Sequence, residues 1–465
     1  MSLRLKRFLK FLLDVDPQEI TKVVLLSAAF FLIIGSYTIS KELKDAVFTS
    51  IIGAERIYLA YAKVASMLVF IPLLFLHSKL VDWIKKHQLL YVYTLFFGII
   101  GLILSCFLAS STFGLANQVS SPYRIFGWLF YFFVEAIPTL LVGVFWAFVN
   151  SITDAESAKG NYSAMIAGSK IGGILTAGSA CWLLRSNMFS DAVNLQILLG
   201  LSSFLLLFVP VIIYILEKVV PKRELHGYEA AYRVDKQIQR EAKDKPWFEG
   251  MVSGLVLLFK YPYVMGIFGM TFFFELVNQV IKVENILFGK SSSSNLSVFT
   301  DFLLLQALLV HIVGFFVVIF GTRTIMRVLG EKRALVFIPV ITGISVLGFL
   351  IKPYYLTAVI AFVVTRAVNY ALAVPLRESL YIPTIKEIKF KTKSWIDGMG
   401  SKFAKMTASS FNACSGYIGF DMLINAQAIF LIFTIFSWIV AAYALGKKFE
   451  KSVEQNEVIG SAEVL

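Results

Sequence analysis

The chain has 465 residues, 58% of them hydrophobic, a mean hydropathy of +0.76 and a net charge of +13. So much apolar content excludes an ordinary soluble domain, and the continuity of the apolar runs argues against a β-barrel, whose strands alternate. The positive charge does not point to nucleic acid, because it follows topology: alternate polar segments hold 29 of the 43 Lys and Arg, and the six opposite loops hold 8.

The basic start (Arg4, Lys6, Arg7, Lys10) runs into the first apolar stretch without a small-residue cleavage site and without the composition of a transit peptide. A spanning helix needs ~20 apolar residues. Such stretches are predicted at 23–40, 57–76, 89–109, 125–149, 162–184, 193–216, 262–281, 298–321, 334–351, 355–376, 395–419 and 424–446. Positive loops stay in the cytoplasm, which places both termini inside and favours the inner membrane of a bacterium. Residues 217–249 are the only long polar segment in mid-chain and read as a cytoplasmic linker. The expected fold is therefore all-α: twelve transmembrane helices in two six-helix bundles, 1–216 and 250–465. The short basic loops Lys79–Lys86 and Arg323–Arg333 occupy matching places in the two halves. They resemble a signature of the major facilitator superfamily, whose members bind substrate between two halves and alternate access.

Two local signals bear on packing. Gly168, Gly172, Gly173, Ala177 and Gly178 allow close helix approach. Pro138, in the middle of the fourth span near Glu135, should kink or open that helix.

Several charges stand where lipid would reject them. A charge at the bilayer centre costs ~3 kcal/mol or more, so one kept there pairs with another or lines a wet path. In chain order they are Lys41, Glu42, Lys44 and Asp45; Lys63; Glu135; Lys170; Glu275 and Lys282, with Asn278; Arg366, Arg377 and Glu378; and Asp397, Lys402 and Lys405. Ammonium groups and arginine forks suit phosphate oxygens. The carboxylates can balance these cations when no anion is bound, or carry a proton. Fixed ion pairs that merely hold helices together are the competing reading, favoured for Lys41, Glu42, Arg366 and Glu378. Function is favoured for Lys44, Glu135, Lys282 and Lys405.

Other features carry less. Phe288-Gly-Lys290-Ser is similar to the end of a phosphate-binding loop, but Glu284 stands where that motif needs glycine, so it reads as an outer loop. Four scattered histidines lack ligand spacing, and His311 reads as a hydrogen-bonded packing residue. Cys106, Cys181 and Cys414 read as packing residues. No catalytic constellation, metal cluster or cofactor motif stands out, so neither an enzyme nor a cofactor is expected.

Four blocks carry a family resemblance: Leu43-Lys44-Asp45 with Gly53 and Glu55; Glu135 with Phe145–Thr153, Glu156, Lys159 and Tyr162; Leu276-Val277 with Lys282; and Tyr381-Ile382-Pro383 with Lys386, Glu387, Phe390, Lys391 and Lys405. From about Ile34 to Lys448 the chain resembles the ATP/ADP translocases of intracellular bacteria and plastids. The resemblance implies a facilitator-like fold and nucleotide exchange. It also implies functional charges at Lys44, Glu135, the Glu275/Asn278 turn and Lys405. Two departures stand out. The family's Asn-Leu-Val-Glu is Glu275-Leu-Val-Asn278 here, and its glycine-rich surroundings of the last lysine are Ala404-Lys405-Met406-Thr407-Ala408.

The expected function is nucleotide transport: ATP/ADP exchange, a related antiport, or proton symport. The expected substrate-binding residues are Lys44, Glu135, Glu275, Asn278, Lys282, Arg377, Lys402 and Lys405. The partners are a phosphorylated small anion and the lipid bilayer, with a monomer as the default. A carrier of another organic anion and a non-transporting membrane scaffold remain alternatives.

Overall fold

The computed structural model describes residues 19–84, 86–152, 158–186, 188–221, 255–381, 383–384, 388, 392–393, 395–415, 420–455 and 459–460. The basic N-terminal residues, most of the 217–249 linker and Ile382, Lys386, Glu387, Phe390 and Lys391 of the fourth block lie outside them. So do Glu156 and the side chains of Asn150, Lys159 and Glu378.

Among the described residues, helices occupy the twelve expected places. They are α1 (Ile20–Ile51), α2 (Arg56–Trp83), α3 (Lys86–Leu108), α4 (Ile125–Ile137 and Gly143–Ser151), α5 (Ala158–Arg185) and α6 (Asp191–Val219). Then follow α7 (Pro262–Ser291), α8 (Leu296–Phe316), α9 (Thr322–Ile351), α10 (Tyr355–Val368 and Val374–Ser379), α11 (Ser401–Ser415) and α12 (Phe420–Glu454). Ten of these are long and apolar enough to cross a bilayer. The other two are more polar: α5 is rich in Gly and Ser, and α11 in Ser with two Lys.

Proline and widened turns break several rods. The kink expected at Pro138 is a π turn, Pro138–Val142, joining the two parts of α4. Proline removes one backbone donor, and a π turn absorbs the displaced pairing. Equivalent turns without proline sit at Val317–Gly321 after α8, at Asn369–Ala373 within α10 and at Trp395–Gly400 before α11.

One expectation is corrected. Phe288-Gly289-Lys290-Ser291 is not an outer loop but the last turn of α7. Packing extends the helix there. The Lys290 ammonium donates to Ser50 Oγ at 3.3 Å and lies 5.3 Å from the Phe299 ring. A Cβ on Gly289 would fall 2.1 Å from the Phe302 ring, so only glycine admits that contact. The next helix begins at Asn295, whose side chain accepts from Val298 N at 2.8 Å as a cap.

The chain divides into two compact units. The first comprises Met1–Tyr58, Leu68–Asp235 and Gly289–Ile319; the second comprises Leu59–Met67, Lys236–Phe288 and Phe320–Leu465. In the first unit α1 is central, packed on α4, α5, α6 and α8. The small residues perform the role their spacing suggests: a Cβ on Gly172 would stand 2.4 Å from the Phe31 carbonyl oxygen, so α1 and α5 meet backbone to backbone. In the second unit α9 packs on α10 and α12, over a core that includes Ile267, Leu335, Leu376 and Trp438.

Candidate functional site

The second half of α1 is unlike a lipid-facing helix. Ser40, Glu42, Lys44, Asp45 and Thr49 are all buried on it. Lys44 is 3% exposed, and its ammonium pairs with Glu135 Oε2 at 2.5 Å across to α4. Asp45 Oδ1 stands 3.9 Å away, and the Tyr131 ring lies 4.7 Å from the same nitrogen. Glu135 and Tyr131 are one turn apart on α4, so both face α1. The π turn begins three residues beyond Glu135 and re-aims the rest of the helix. This is one ammonium held by a carboxylate and an aromatic face in a desolvated pocket, where electrostatic attraction is strong.

The second unit carries a counterpart with the charges exchanged between helices. Here α7 supplies the acid and α11 the base: Lys405 Nζ lies 3.2 Å from Glu275 Oε1. Two neutral donors share that carboxylate, Ser401 Oγ at 2.8 Å and Asn278 Nδ2 at 3.2 Å. Asn278 in turn accepts from Arg366 Nε on α10 at 3.1 Å. One helical turn before Glu275, Thr271 Oγ1 accepts from Arg377 Nη1 at 2.9 Å. Arg377 Nη2 is 3.9 Å from Asp397 Oδ1. Thr271, Glu275, Asn278 and Lys282 follow one another at intervals of four, three and four residues, the spacing of a single helix face.

Lys44 and Glu135 thus meet directly, as do Glu275, Asn278 and Lys405. Arg377 stands one turn away along α7. Lys282 is buried on α7, and Lys402 is half-buried on α11 beside Ser401. Lys41 pairs with its chain neighbour Glu42 at 2.8 Å, a contact within α1 and not one that joins two helices. His311 is a packing residue, hydrogen-bonded to Thr38 Oγ1 at 2.9 Å through Nε2. Tyr131, Thr271, Ser401 and Asp397 were not among the expected site residues. Tyr131 falls one turn before Glu135, and Thr271 one turn before Glu275, a spacing that could have revealed both. Ser401 carries the same signal, one turn before Lys405 on α11.

Buried ion pairs that join different helices of a polytopic helical fold are characteristic of a secondary transporter for a charged solute. Solved structures share the architecture. A D-xylose–proton symporter matches with a TM-score of 0.59 at 12% identity, over 93% of this chain and 98% of that one. The inward-open xylose transporter XylE from E. coli matches with a TM-score of 0.56 at 12% identity, over 92% and 95%. The chain belongs to the TLC ATP/ADP transporter family, whose model matches residues 2–449. Relatives include ADP,ATP carrier protein 1 of Chlamydia pneumoniae, 21% identical over 96% of this chain and 95% of its own length. ADP,ATP carrier protein 4 of Rickettsia bellii is 23% identical over 97% and 94%. A chloroplastic ADP,ATP carrier of Arabidopsis thaliana is 21% identical over 96% and 76%.

Proposed function

We propose that this chain exchanges ATP for ADP across a bacterial inner membrane, as a monomer with both termini in the cytoplasm. The observation that carries this reading is the pair of lysines, Lys44 buried and Lys405 partly buried, each held by a carboxylate on another helix. An ammonium held in this way is neutralised but not committed. A phosphate oxygen can displace the carboxylate, and the carboxylate can reclaim the lysine when the anion leaves. Buried charge therefore never stays uncompensated, which a carrier cycling between loaded and empty states requires. Lys44, Lys282 and Lys405 hold phosphate oxygens, Arg377 and Lys402 assist, and Glu135 and Glu275, with Asn278, balance the empty state. The bundles 1–216 and 250–465 move against one another about the 217–249 linker.

The test is uptake of labelled ATP by vesicles containing the purified protein and preloaded with ADP. Uptake should depend on internal nucleotide and fall when Lys44 or Lys405 is replaced by Ala. Vesicles that take up no nucleotide from a panel of ATP, ADP, other nucleoside triphosphates and NAD, yet take up another organic phosphate, would overturn the reading.

A further inference from the structure

Arg366 lies on α10 and is 5% exposed. A guanidinium stays charged at any accessible pH, so burying one without an anion is expensive. Among the described residues, its only polar contact is the bond from Nε to Asn278 Oδ1 at 3.1 Å. Asn278 is a neutral amide. The nearby carboxylate, Glu275, is already shared by Lys405, Ser401 and Asn278. Among the described residues, positive charge in this cluster is therefore compensated at Lys405 and uncompensated at Arg366.

The geometry around Arg366 is that of an oriented fork. Its Cζ stacks 4.0 Å from the centre of the Phe362 ring, one turn back on α10. The Asn278 bond fixes the Nε edge. These contacts leave the two terminal nitrogens without hydrogen bonds, and neither is sealed from solvent. Two parallel N–H donors, pre-aimed and partly desolvated, match two oxygens of one phosphate group.

We propose that Arg366 binds a phosphate group of the transported anion bidentately, with Asn278 and Phe362 as positioning residues. This rests on the reading of the chain as a nucleotide carrier, and adds the strongest anion contact of the second unit at a position distinct from Lys405. Purified wild type, Arg366→Lys and Asn278→Glu, each in lipid nanodiscs, are compared for binding of ATP, ADP and inorganic pyrophosphate. Arg366→Lys keeps the charge but loses the fork. Asn278→Glu gives Arg366 an internal carboxylate at the cost of the donor to Glu275, so it should bind poorly, and thermal unfolding checks that both variants are folded. Both variants should bind ATP about tenfold to a hundredfold more weakly, the loss of one or two charge-assisted hydrogen bonds. Wild-type affinity for ATP in both variants would overturn the proposal while leaving the nucleotide reading in place. Wild-type binding of pyrophosphate but of no nucleotide, lost in Arg366→Lys, would do the reverse. Binding of none of the three by the wild type would sink both.

Discussion

Replacing Glu135 by Gln keeps the shape of the side chain and removes its charge. In the empty protein Lys44 then loses its 2.5 Å partner and keeps contacts that include Asp45 at 3.9 Å and the Tyr131 ring at 4.7 Å. Deleting one member of a buried pair costs about 3–5 kcal/mol. The surviving contacts place this case at the low end, about 3 kcal/mol. Binding moves the other way. A phosphate arriving at wild-type Lys44 must displace the carboxylate; in Glu135→Gln it need not. Affinity should therefore rise by about tenfold, the ~1.4 kcal/mol net value of a charged hydrogen bond. Release then has no carboxylate to recapture the ammonium, so exchange should slow. The expected signature is a carrier that unfolds at lower temperature when empty, regains stability with ATP, binds ATP more tightly and turns over more slowly. Thermal unfolding with and without ATP, equilibrium binding and exchange in vesicles read the three effects. A Glu135→Gln protein as stable as wild type when empty, binding ATP no more tightly, would refute the displacement argument.

Lys405→Ala should cost less stability than Lys44→Ala, about 1 kcal/mol against about 3, because Lys405 is 30% exposed and Glu275 keeps Ser401 and Asn278 as donors; denaturation of the two purified variants compares them. Gly172→Ala should destabilise by about 1–3 kcal/mol, since its Cβ would meet the Phe31 carbonyl oxygen at 2.4 Å. Gly178→Ala, with nothing within 4 Å, should be neutral or slightly stabilising by the same assay. Arg185→Ala breaks a fork onto Asp301, but Arg185 is 57% exposed, so the change in melting should correspond to less than about 1 kcal/mol.

Much of the site was legible because lipid is an unforgiving solvent. Lys44, Glu135, Glu275 and Lys405 stand out in apolar stretches for one reason, the cost of an uncompensated charge, and the same cost guides each to a partner. Pro138 was likewise readable, since a missing donor must disturb its helix. What the residue string does not encode is rotation about each helix axis. Arg366 reads as half of a fixed pair, yet it faces Asn278 and pairs with no carboxylate among the described residues. The turn at Val317 contains no proline and no local residue announces it, whereas Pro375 stands two residues beyond the turn at Asn369. The end of α7 was misread because glycine and a run of serines resemble loop chemistry, whereas tertiary contacts to Ser50 and the Phe299 ring carry the helix onward.

The π turn of α4 begins at Pro138 in a helix that starts at Ile125; that of α10 begins at Asn369 in a helix that starts at Tyr355. The two spacings differ by a single residue, in spans that hold the same rank within their sets of six. A rod already loosened at one level flexes there before it flexes anywhere else. The fourth and tenth spans therefore behave as jointed struts of matched length, and α1, continuous and without proline from Ile20 to Ile51, as a stiff one. Any bending stroke would concentrate in these two collars, so stiffening either should jam the machine while leaving its ion pairs untouched.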